Sequence, residues 1–359
     1  MIDIQKRDRS IKGLLQAEGP RVSIFLPTHR AFPENRQDPI VYKNCVQEVE
    51  SLLSAGHPRR VWEGIINQLM SLLLDQDFWN HTTEGLTVLA AGDQIASFQL
   101  DTPLEKQTVV GKHFHLAPIY PLLQSIGQAF LTDISRDRFS IYQVSRDIID
   151  QVVLPDVKAS FAELYDDFDA NADLNVGSYS GLAGTYHGHR ARPEEIEKDR
   201  DKYFRYLDEA FTKLHKDTGL PMILAGVENN LAEYRQLAKG DFYLDSAIKK
   251  PLDSLDHKEL LSQVKEIIKP HLEKALESLN TRISNKRNEN KAVNSLPDIA
   301  AAAQEGRVDL LLLPCQPKES VRAQLDAASE QVLLNGGEIL SFDPDDLDLG
   351  GQYLALLRY

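Results

Sequence analysis

Residues 177–190 of this chain read Gly177-Ser-Tyr-Ser-Gly-Leu-Ala-Gly-Thr-Tyr-His-Gly-His-Arg190, and a charged helical pattern follows from Pro193 to Gly219. Glycine has no Cβ, so a loop this rich in glycine can bring its backbone close to a partner. Pro193 suits the first position of a helix, and the acidic residues that follow it are stabilised by the positive end of the helix dipole. The stretch therefore predicts a loop tip carried on a stiff helix, an arrangement on which binding residues often lie.

The predicted tip is polar and cationic. Its candidate binding residues are Tyr186, His187, Gly188, His189, Arg190 and Arg192. Arginine forks match phosphate oxygens in two-point fashion, so phosphate contact is the simplest function for this tip. An imidazole also titrates near neutrality, which makes His187 and His189 the candidate catalytic residues. The alternative is a solvated surface loop whose histidines bond only to backbone.

A second polar cluster follows the strand predicted at residues 21–26. It comprises His29, Arg30 and Arg36 in the loop from Pro27 to Asp38, with Lys43 on the helix that begins at Asp38-Pro39. Loops at the ends of strands often bind ligands in α/β sheets. The sequence therefore also predicts ligand binding at this loop. The alternative is that Arg30 and Arg36 pair with neighbouring acids and only fix the loop.

Bulk composition excludes several classes of protein. The 359 residues carry a net charge of −14, which argues against a protein that coats nucleic acid non-specifically, although a local basic tip remains compatible with it. Two distant cysteines cannot build a disulfide framework or a zinc knuckle. No signal region or long apolar run occurs, so we expect a cytoplasmic protein without a membrane segment.

Metal chemistry is not expected from the histidine and carboxylate patterns. His113-x-His115, on a strand predicted at 107–115, and His187-x-His189 each supply only two ligands, too few for zinc. The acids Asp166, Asp167, Asp169 and Asp173 lie together in a predicted loop and not across strands. A metal-dependent nuclease is therefore the weaker alternative, and we predict no metal and no cofactor.

The order of apolar patterns predicts a mixed α/β (α+β) chain of three domains. An α/β domain occupies 1–127, with helices at 38–56, 58–79 and 119–127. An RNase H-like middle domain with the glycine-rich loop 177–192 occupies 128–250. An α/β/α sandwich occupies 251–359. The sequence leaves the oligomeric state open.

Four features, in this order, carry a resemblance to a known family. They are Val22–Arg30 with Gln37-Asp-Pro39, the tip 186–190 with its helix, Leu224-Ala-Gly226, and the terminal set Ala302–Gly306, Gly336-Gly337 and Gly350-Gly351 with Leu356-Leu-Arg-Tyr359. Together they resemble the archaeo-eukaryotic class-1 peptide-chain release factors and Pelota, and above all their bacterial relatives. The resemblance covers the whole chain. It implies a third domain similar to kink-turn-binding ribosomal proteins.

The resemblance also implies partners and a departure from the family chemistry. Its implied partners are the ribosome, tRNA and a translational GTPase. The resemblance implies that the tip and the second polar cluster are the RNA- or ribosome-binding residues. Release factors carry Gly-Gly-Gln at the middle-domain tip, whereas this tip reads His187-Gly188-His189 and no glutamine occurs between Gln151 and Gln236. We therefore predict a translation factor of the rescue, recycling or hibernation kind, without the family's ester hydrolysis. The alternative is a hydrolase of peptidyl-tRNA or another ester in which His187 or His189 replaces the glutamine.

Overall fold

A computed structural model describes residues 11–100, 103–120, 126–145, 148–164, 193–315, 317–342, 349 and 351–359. It divides into two compact units. One unit contains Gln128–Val144 and Asp150–Ile268, and the other contains Asp3–Gly127, Ser145–Ile149 and Lys269–Tyr359. The division of the chain into three domains stays a prediction. What the structure adds is that the first and last segments of the chain belong to the same compact unit.

The described part of the chain contains both strands and helices. The strands are β1 Arg21–Pro27, β2 Gly85–Ala91, β3 Gln94–Leu100, β4 Gln107–Gly111, β5 Ala129–Ile134, β6 Phe139–Ser145, β7 Ile148–Val152, β8 Met222–Ala225, β9 Tyr243–Ile248, β10 Ala292–Val293, β11 Val308–Pro314, β12 Glu338–Phe342 and β13 Leu354–Leu357. The helices are α1 Asp38–Gly56, α2 Arg59–Leu74, α3 Gln76–Asn80, α4 Pro193–Thr218, α5 Glu228–Leu237, α6 His257–Asn288, α7 Leu296–Gln304 and α8 Glu319–Leu334. The mixed α/β class predicted from sequence is confirmed.

The first sheet has the order β3-β2-β1-β4. Its strands pair antiparallel, and Gly92 takes a φ of 55° in the tight turn between β2 and β3, as the Gly92-Asp93 pair predicts. Side chains alternate between the two faces of a strand. One face, including Val22 and Ile24, packs on α1 and α2. The other face, including Leu89 and Phe98, belongs to a core shared with the last part of the chain.

The second sheet has the order β7-β6-β5-β8-β9. β5 pairs antiparallel with β6 and parallel with β8, and β8 pairs parallel with β9. Three consecutive strands followed by helix, strand, helix and edge strand are the layout that the sequence predicts as RNase H-like. The predicted edge position of the strand near 242–248 is confirmed by β9.

The third sheet has the order β10-β13-β11-β12 and is covered by helices on both faces. Leu279 and Ile283 of α6 pack with alternate residues of β11, β12 and β13 on one face. Ile299 of α7 and Leu325 of α8 pack on the other face. This is the α/β/α sandwich expected from the alternation of apolar segments. The two-residue strand β10 was not expected, because so short a segment has no periodicity to read.

Three boundaries differ from the sequence prediction. The helix expected at 58–79 is two helices, because the Asp75 carboxylate accepts a hydrogen bond from the Phe78 N–H at 3.0 Å and caps a new helix there. The strand expected to reach residue 115 ends at Gly111. Residues 117–119 form a 3₁₀ turn, and the rest of the helix expected at 119–127 lies largely outside the described residues.

Candidate functional site

The tip predicted to bind RNA lies outside the described residues. This applies to Tyr186, His187, Gly188, His189, Arg190 and Arg192, and also to the four aspartates at 166, 167, 169 and 173. What the structure does describe is the helix that follows the tip, the sheet below that helix, and the second polar cluster.

Helix α4 is held firmly over its middle. Tyr203, Leu207 and Phe211 are fully buried, so this side of the helix packs into the core. The Tyr203 hydroxyl donates a hydrogen bond of 2.8 Å to the Ala159 carbonyl. The Asp208 carboxylate accepts from the Lys239 N–H at 3.0 Å. These contacts fix the helix on the second sheet.

A group of buried tyrosines supports the same helix from the side of β9. The Tyr243 hydroxyl donates to the Asp208 carboxylate at 2.8 Å and lies 2.7 Å from the Tyr234 hydroxyl. Burial raises the pKa of Tyr243 and of Tyr234 above the usual range of a phenol. Both phenols therefore stay neutral at physiological pH and serve here as hydrogen-bonding members of the core.

The second polar cluster follows β1, and hydrogen bonds to neighbouring segments hold its first residues. The Thr28 N–H donates to the Glu84 carbonyl at 2.9 Å, and the Thr28 hydroxyl donates to the Thr83 carbonyl at 2.7 Å. The Thr82 hydroxyl donates to the His29 carbonyl at 3.1 Å. These hydrogen bonds therefore fix the direction in which the loop leaves β1.

Asp38 organises the rest of this loop from the first turn of α1. Its side chain is almost fully buried, at 1% exposure. One carboxylate oxygen accepts from the His29 N–H at 2.8 Å, and the other lies 2.8 Å from His29 Nδ1. An anion at a helix N-terminus is also favoured by the helix dipole. His29 is thus tied to the protein through its backbone and one ring nitrogen.

The remaining predicted residues of the cluster differ in their contacts. Arg30 Nε lies 3.2 Å from the Glu84 carboxylate, which is the acid pairing that the alternative interpretation expected. Arg36 instead places its guanidinium carbon 4.5 Å from the centre of the Phe32 ring, a cation–π arrangement. Lys43 is exposed on α1. Sequence reasoning missed Phe32; the available signal was an aromatic residue flanked by cations in a polar loop.

His113 and His115 do not lie on a strand. They follow β4 in a loop and face two buried carboxylates of α8. His113 Nδ1 lies 2.6 Å from Glu330, and His115 Nδ1 lies 3.2 Å from Asp326. The Phe114 N–H also donates to Glu330, at 2.6 Å. The two histidines therefore join the first segment of the chain to the last one, and the predicted common face on a strand is wrong.

No group of three or more His, Cys, Asp or Glu side chains that could hold a metal ion occurs among the described residues. Asp133, at the end of β5, accepts a hydrogen bond from the Leu252 N–H at 3.0 Å. That carboxylate is used to close the fold at this strand end.

A Gly-Gly-Gln tripeptide does occur in this chain, at 350–352, outside the predicted tip. Its last residue, Gln352, lies two positions before the start of β13 at Leu354. The Gln352 side chain accepts a hydrogen bond of 2.9 Å from the hydroxyl of its neighbour Tyr353. The glycines of this tripeptide are those that carry the resemblance of the terminal domain.

Within the described ranges, no helix is both long and apolar enough to cross a lipid bilayer.

A protein-family model and several solved structures match this chain. The model of bacterial archaeo-eukaryotic release factor family 3 matches residues 132–307, which confirms the resemblance predicted from sequence. No curated protein matches the chain.

Solved structures with a similar arrangement include three translation factors. The archaeal translation termination factor aRF1 has 14% identity and a TM-score of 0.26, with 100% of this chain and 99% of that chain covered. Dom34 of S. cerevisiae, a translation termination-like factor, has 15% identity and a TM-score of 0.38, with coverage of 75% and 74%. Archaeal Pelota, from a model of ribosome-bound Pelota and ABCE1, has 13% identity and a TM-score of 0.35, with coverage of 99% and 94%.

Proposed function

We propose that this relative of the bacterial archaeo-eukaryotic release factors is a cytoplasmic, ribosome- and tRNA-associated translation factor that does not hydrolyse the peptidyl-tRNA ester. The observation that carries the proposal is the family match over residues 132–307. The matched segment includes the tip, where His187-Gly188-His189 stands in place of Gly-Gly-Gln. The role is one of rescue, recycling or hibernation.

The chemistry of the tip is the reason for separating binding from hydrolysis. In release factors the two glycines let the backbone approach the ester, and the glutamine region positions the attacking water. This tip has one glycine at the corresponding place and no glutamine from residue 152 to residue 235. A loop of this kind keeps the freedom to approach RNA while it lacks the group that orients water.

Electrostatics favours contact of the tip with phosphates. The chain carries a net charge of −14, so its approach to RNA is opposed at long range unless a basic segment leads. Arg190 and Arg192 supply two guanidinium groups that bind phosphate oxygens in pairs. Helix α4, whose middle is buried and hydrogen-bonded, gives the tip a fixed base.

The second polar cluster supplies a separate proposed contact in the first part of the chain. His29, Arg30, Arg36 and Lys43 are exposed. Arg36 and Lys43 are the best placed for phosphate contact, since Arg30 already pairs with Glu84. By family resemblance, a translational GTPase would be the protein partner.

The proposal is tested by co-sedimentation of the purified chain with ribosomes across a salt series. We expect binding in low salt, and we expect Arg190→Ala with Arg192→Ala to weaken it. Each lost phosphate contact lowers the slope of log affinity against log salt by about 1. The matched control is Arg59→Ala with Arg60→Ala, two exposed arginines on α2, which should leave binding unchanged. Absence of co-sedimentation at every salt concentration would refute the proposal.

The hydrolase alternative is decided by release of labelled peptide from ribosomes loaded with peptidyl-tRNA. We expect no release above background by the native chain. Release that disappears in His187→Ala or His189→Ala would establish the alternative and overturn the non-hydrolytic role. Installing the family motif, with His187→Gly and His189→Gln, tests whether the tip reaches the ester at all.

A further inference from the structure

Phe32 is an aromatic side chain held in solvent on the loop between β1 and α1. Its exposure is 66%, whereas most of the other aromatic residues that the structure describes lie in the cores. An exposed ring alone is ordinary at a protein surface. Here, however, the Arg36 guanidinium carbon lies 4.5 Å from the ring centre, so a cation and a π-face are presented together.

The loop that carries this ring is ordered by its own hydrogen bonds. The Asn35 N–H donates to the Ala31 carbonyl at 3.1 Å, and the Arg36 N–H donates to the Pro33 carbonyl at 3.2 Å. His29, three residues before the ring, is bonded to the buried Asp38. A ring that is already positioned loses little conformational freedom when a partner binds, which favours affinity.

The charges around the ring favour an anionic partner. Two of the carboxylates in this region are already engaged, Asp38 by His29 and Glu84 by Arg30. Glu34 lies on the same turn and is exposed, whereas Arg36 and Lys43 add two exposed cations. An exposed π-face with an arginine beside it, followed by an exposed lysine on α1, suits a nucleotide, in which a base stacks and its phosphate meets a cation.

We propose that Phe32 is a stacking residue for an unpaired RNA base, with Arg36 covering one face of the ring and with Arg36 and Lys43 contacting the adjoining phosphates. This inference rests on the proposed function, which places RNA at this loop. It goes further in naming the residue that recognises the nucleotide, the chemical class of ligand as single-stranded RNA, and the contact as stacking, which is tolerant of base identity.

The test uses the full chain and fluorescently labelled hexauridylate and hexaadenylate, with abasic versions of the same length as probes. We expect Phe32→Leu to weaken binding of both base-containing probes about tenfold, because a stacked base contributes on that scale. Phe32→Tyr keeps the π-face and should bind as the native chain does. Leu74→Ala changes another strongly exposed apolar residue, at 75% exposure, and should have no effect.

Stacking and phosphate contact are separated by salt and by the abasic probes. Phe32→Leu should leave the salt slope unchanged and should not affect abasic RNA, since neither depends on a base. Arg36→Ala should lower the salt slope by about 1. Equal binding of hexauridylate by the native chain and Phe32→Leu would overturn the inference, and so would an equal loss with abasic RNA.

Ribosome co-sedimentation of the same variants distinguishes the inference from the proposed function. If Phe32→Leu loses ribosomes but binds hexauridylate normally, the ring contacts a protein and the inference is wrong while the proposed function stands. If the native chain never co-sediments but Phe32→Leu still loses base-containing RNA, the proposed function is wrong and the stacking residue stands.

Discussion

At the scale of single residues, Asp38 shows how one buried group sets the geometry of an exposed loop. Its two carboxylate oxygens face the His29 N–H and the His29 ring, both at 2.8 Å. Because Asp38 is 1% exposed, water cannot replace either contact. The positions of the exposed residues in the second polar cluster therefore depend on a residue that is itself buried.

We expect Asp38→Ala to lower the free energy of unfolding by about 2 kcal/mol, because it leaves the buried partners of a charged hydrogen-bond acceptor unpaired. Urea unfolding measures this change. Glu48→Ala, an exposed acid on the same helix, is the control and should change stability by less than about 0.5 kcal/mol. Equal effects of the two substitutions would contradict the role assigned to Asp38.

Asp133 gives a pH-dependent prediction. Burial raises the pKa of this carboxyl, with a further contribution from Asp253, and the hydrogen bond from Leu252 only partly opposes this rise. A carboxyl whose pKa is higher in the folded state binds its proton more tightly there than in the unfolded chain. Its contribution therefore destabilises the fold as pH rises through the usual Asp range and above.

We expect Asp133→Asn to unfold at higher urea concentration than the native chain at pH 7, since the amide oxygen can still accept from Leu252 while the buried charge is gone. The difference should vanish as pH falls below the usual Asp pKa. Urea midpoints at pH 7 and near pH 3 measure it. A variant less stable than the native chain at pH 7 would show that the charge itself is needed.

Some features of the candidate site could be predicted from the sequence, and others depend on the three-dimensional structure. The position of His29, Arg30, Arg36 and Lys43 beside the end of a strand was predicted from the order of residues, and their binding role stays a prediction. The contact between Arg36 and the Phe32 ring was not predicted. Both Glu34 and Phe32 are close to Arg36 in the sequence, and only three-dimensional geometry selects between them as partners. The tip at 186–192 stays a prediction.

At the scale of elements, periodicity predicted most helices and strands, and local chemistry moved their ends. The predicted bounds 38–56 for α1 match the structure, since Asp38-Pro39 begins it and Gly56 ends it. The strand expected to run through His113 and His115 stopped at Gly111 because these histidines turn toward Glu330 and Asp326 of a helix more than 200 residues later. Contacts between residues so far apart in the chain leave no local pattern in the sequence.

The contact between α8 and the loop after β4 yields a stability prediction. Glu330 accepts from the Phe114 N–H, faces His113 at 2.6 Å, and lies 3.9 Å from Arg21 Nε. Removing one member of a buried ionic group leaves the others uncompensated, so we expect Glu330→Ala to lower the free energy of unfolding by about 3 kcal/mol. Glu319→Ala removes an exposed pair with Arg322 on the same helix and should change stability by less than about 1 kcal/mol.

Urea unfolding of both variants checks this difference. If Glu330→Ala is no more destabilising than Glu319→Ala, the carboxylate is not a structural link between the two segments, and their association depends on apolar packing alone.

At the scale of the whole molecule, the first and last segments of the chain share one apolar core. Phe114 and Tyr120 from the first segment are fully buried in the same cluster as Ile299 and Leu325 from the last. The Tyr120 hydroxyl lies 2.9 Å from the Ser329 hydroxyl within that core. The order of elements predicts an α/β pattern in each segment, but it carries no information on which faces meet.

This shared core predicts how fragments behave. A fragment of residues 251–359 would expose the face of α7 and α8 that Phe114 and Tyr120 cover, so we expect it to bind a hydrophobic dye and to lack a cooperative urea transition. Adding a fragment of residues 1–127 should restore the transition. A fragment of 128–268, which holds the complete second sheet, should unfold cooperatively alone. Circular dichroism of the three fragments tests this, and cooperative unfolding of 251–359 by itself would contradict it.

The same arrangement has a consequence for biosynthesis. A nascent chain emerges from its amino terminus, so the first sheet is exposed to solvent long before β13 has been translated. At about 5–20 residues per second, the interval from residue 120 to residue 357 is on the order of 10 to 50 s. During that interval the central segment can already fold, whereas one apolar face of the first sheet stays uncovered until the last segment has been made. Newly made chains should therefore depend on chaperone protection until translation is finished.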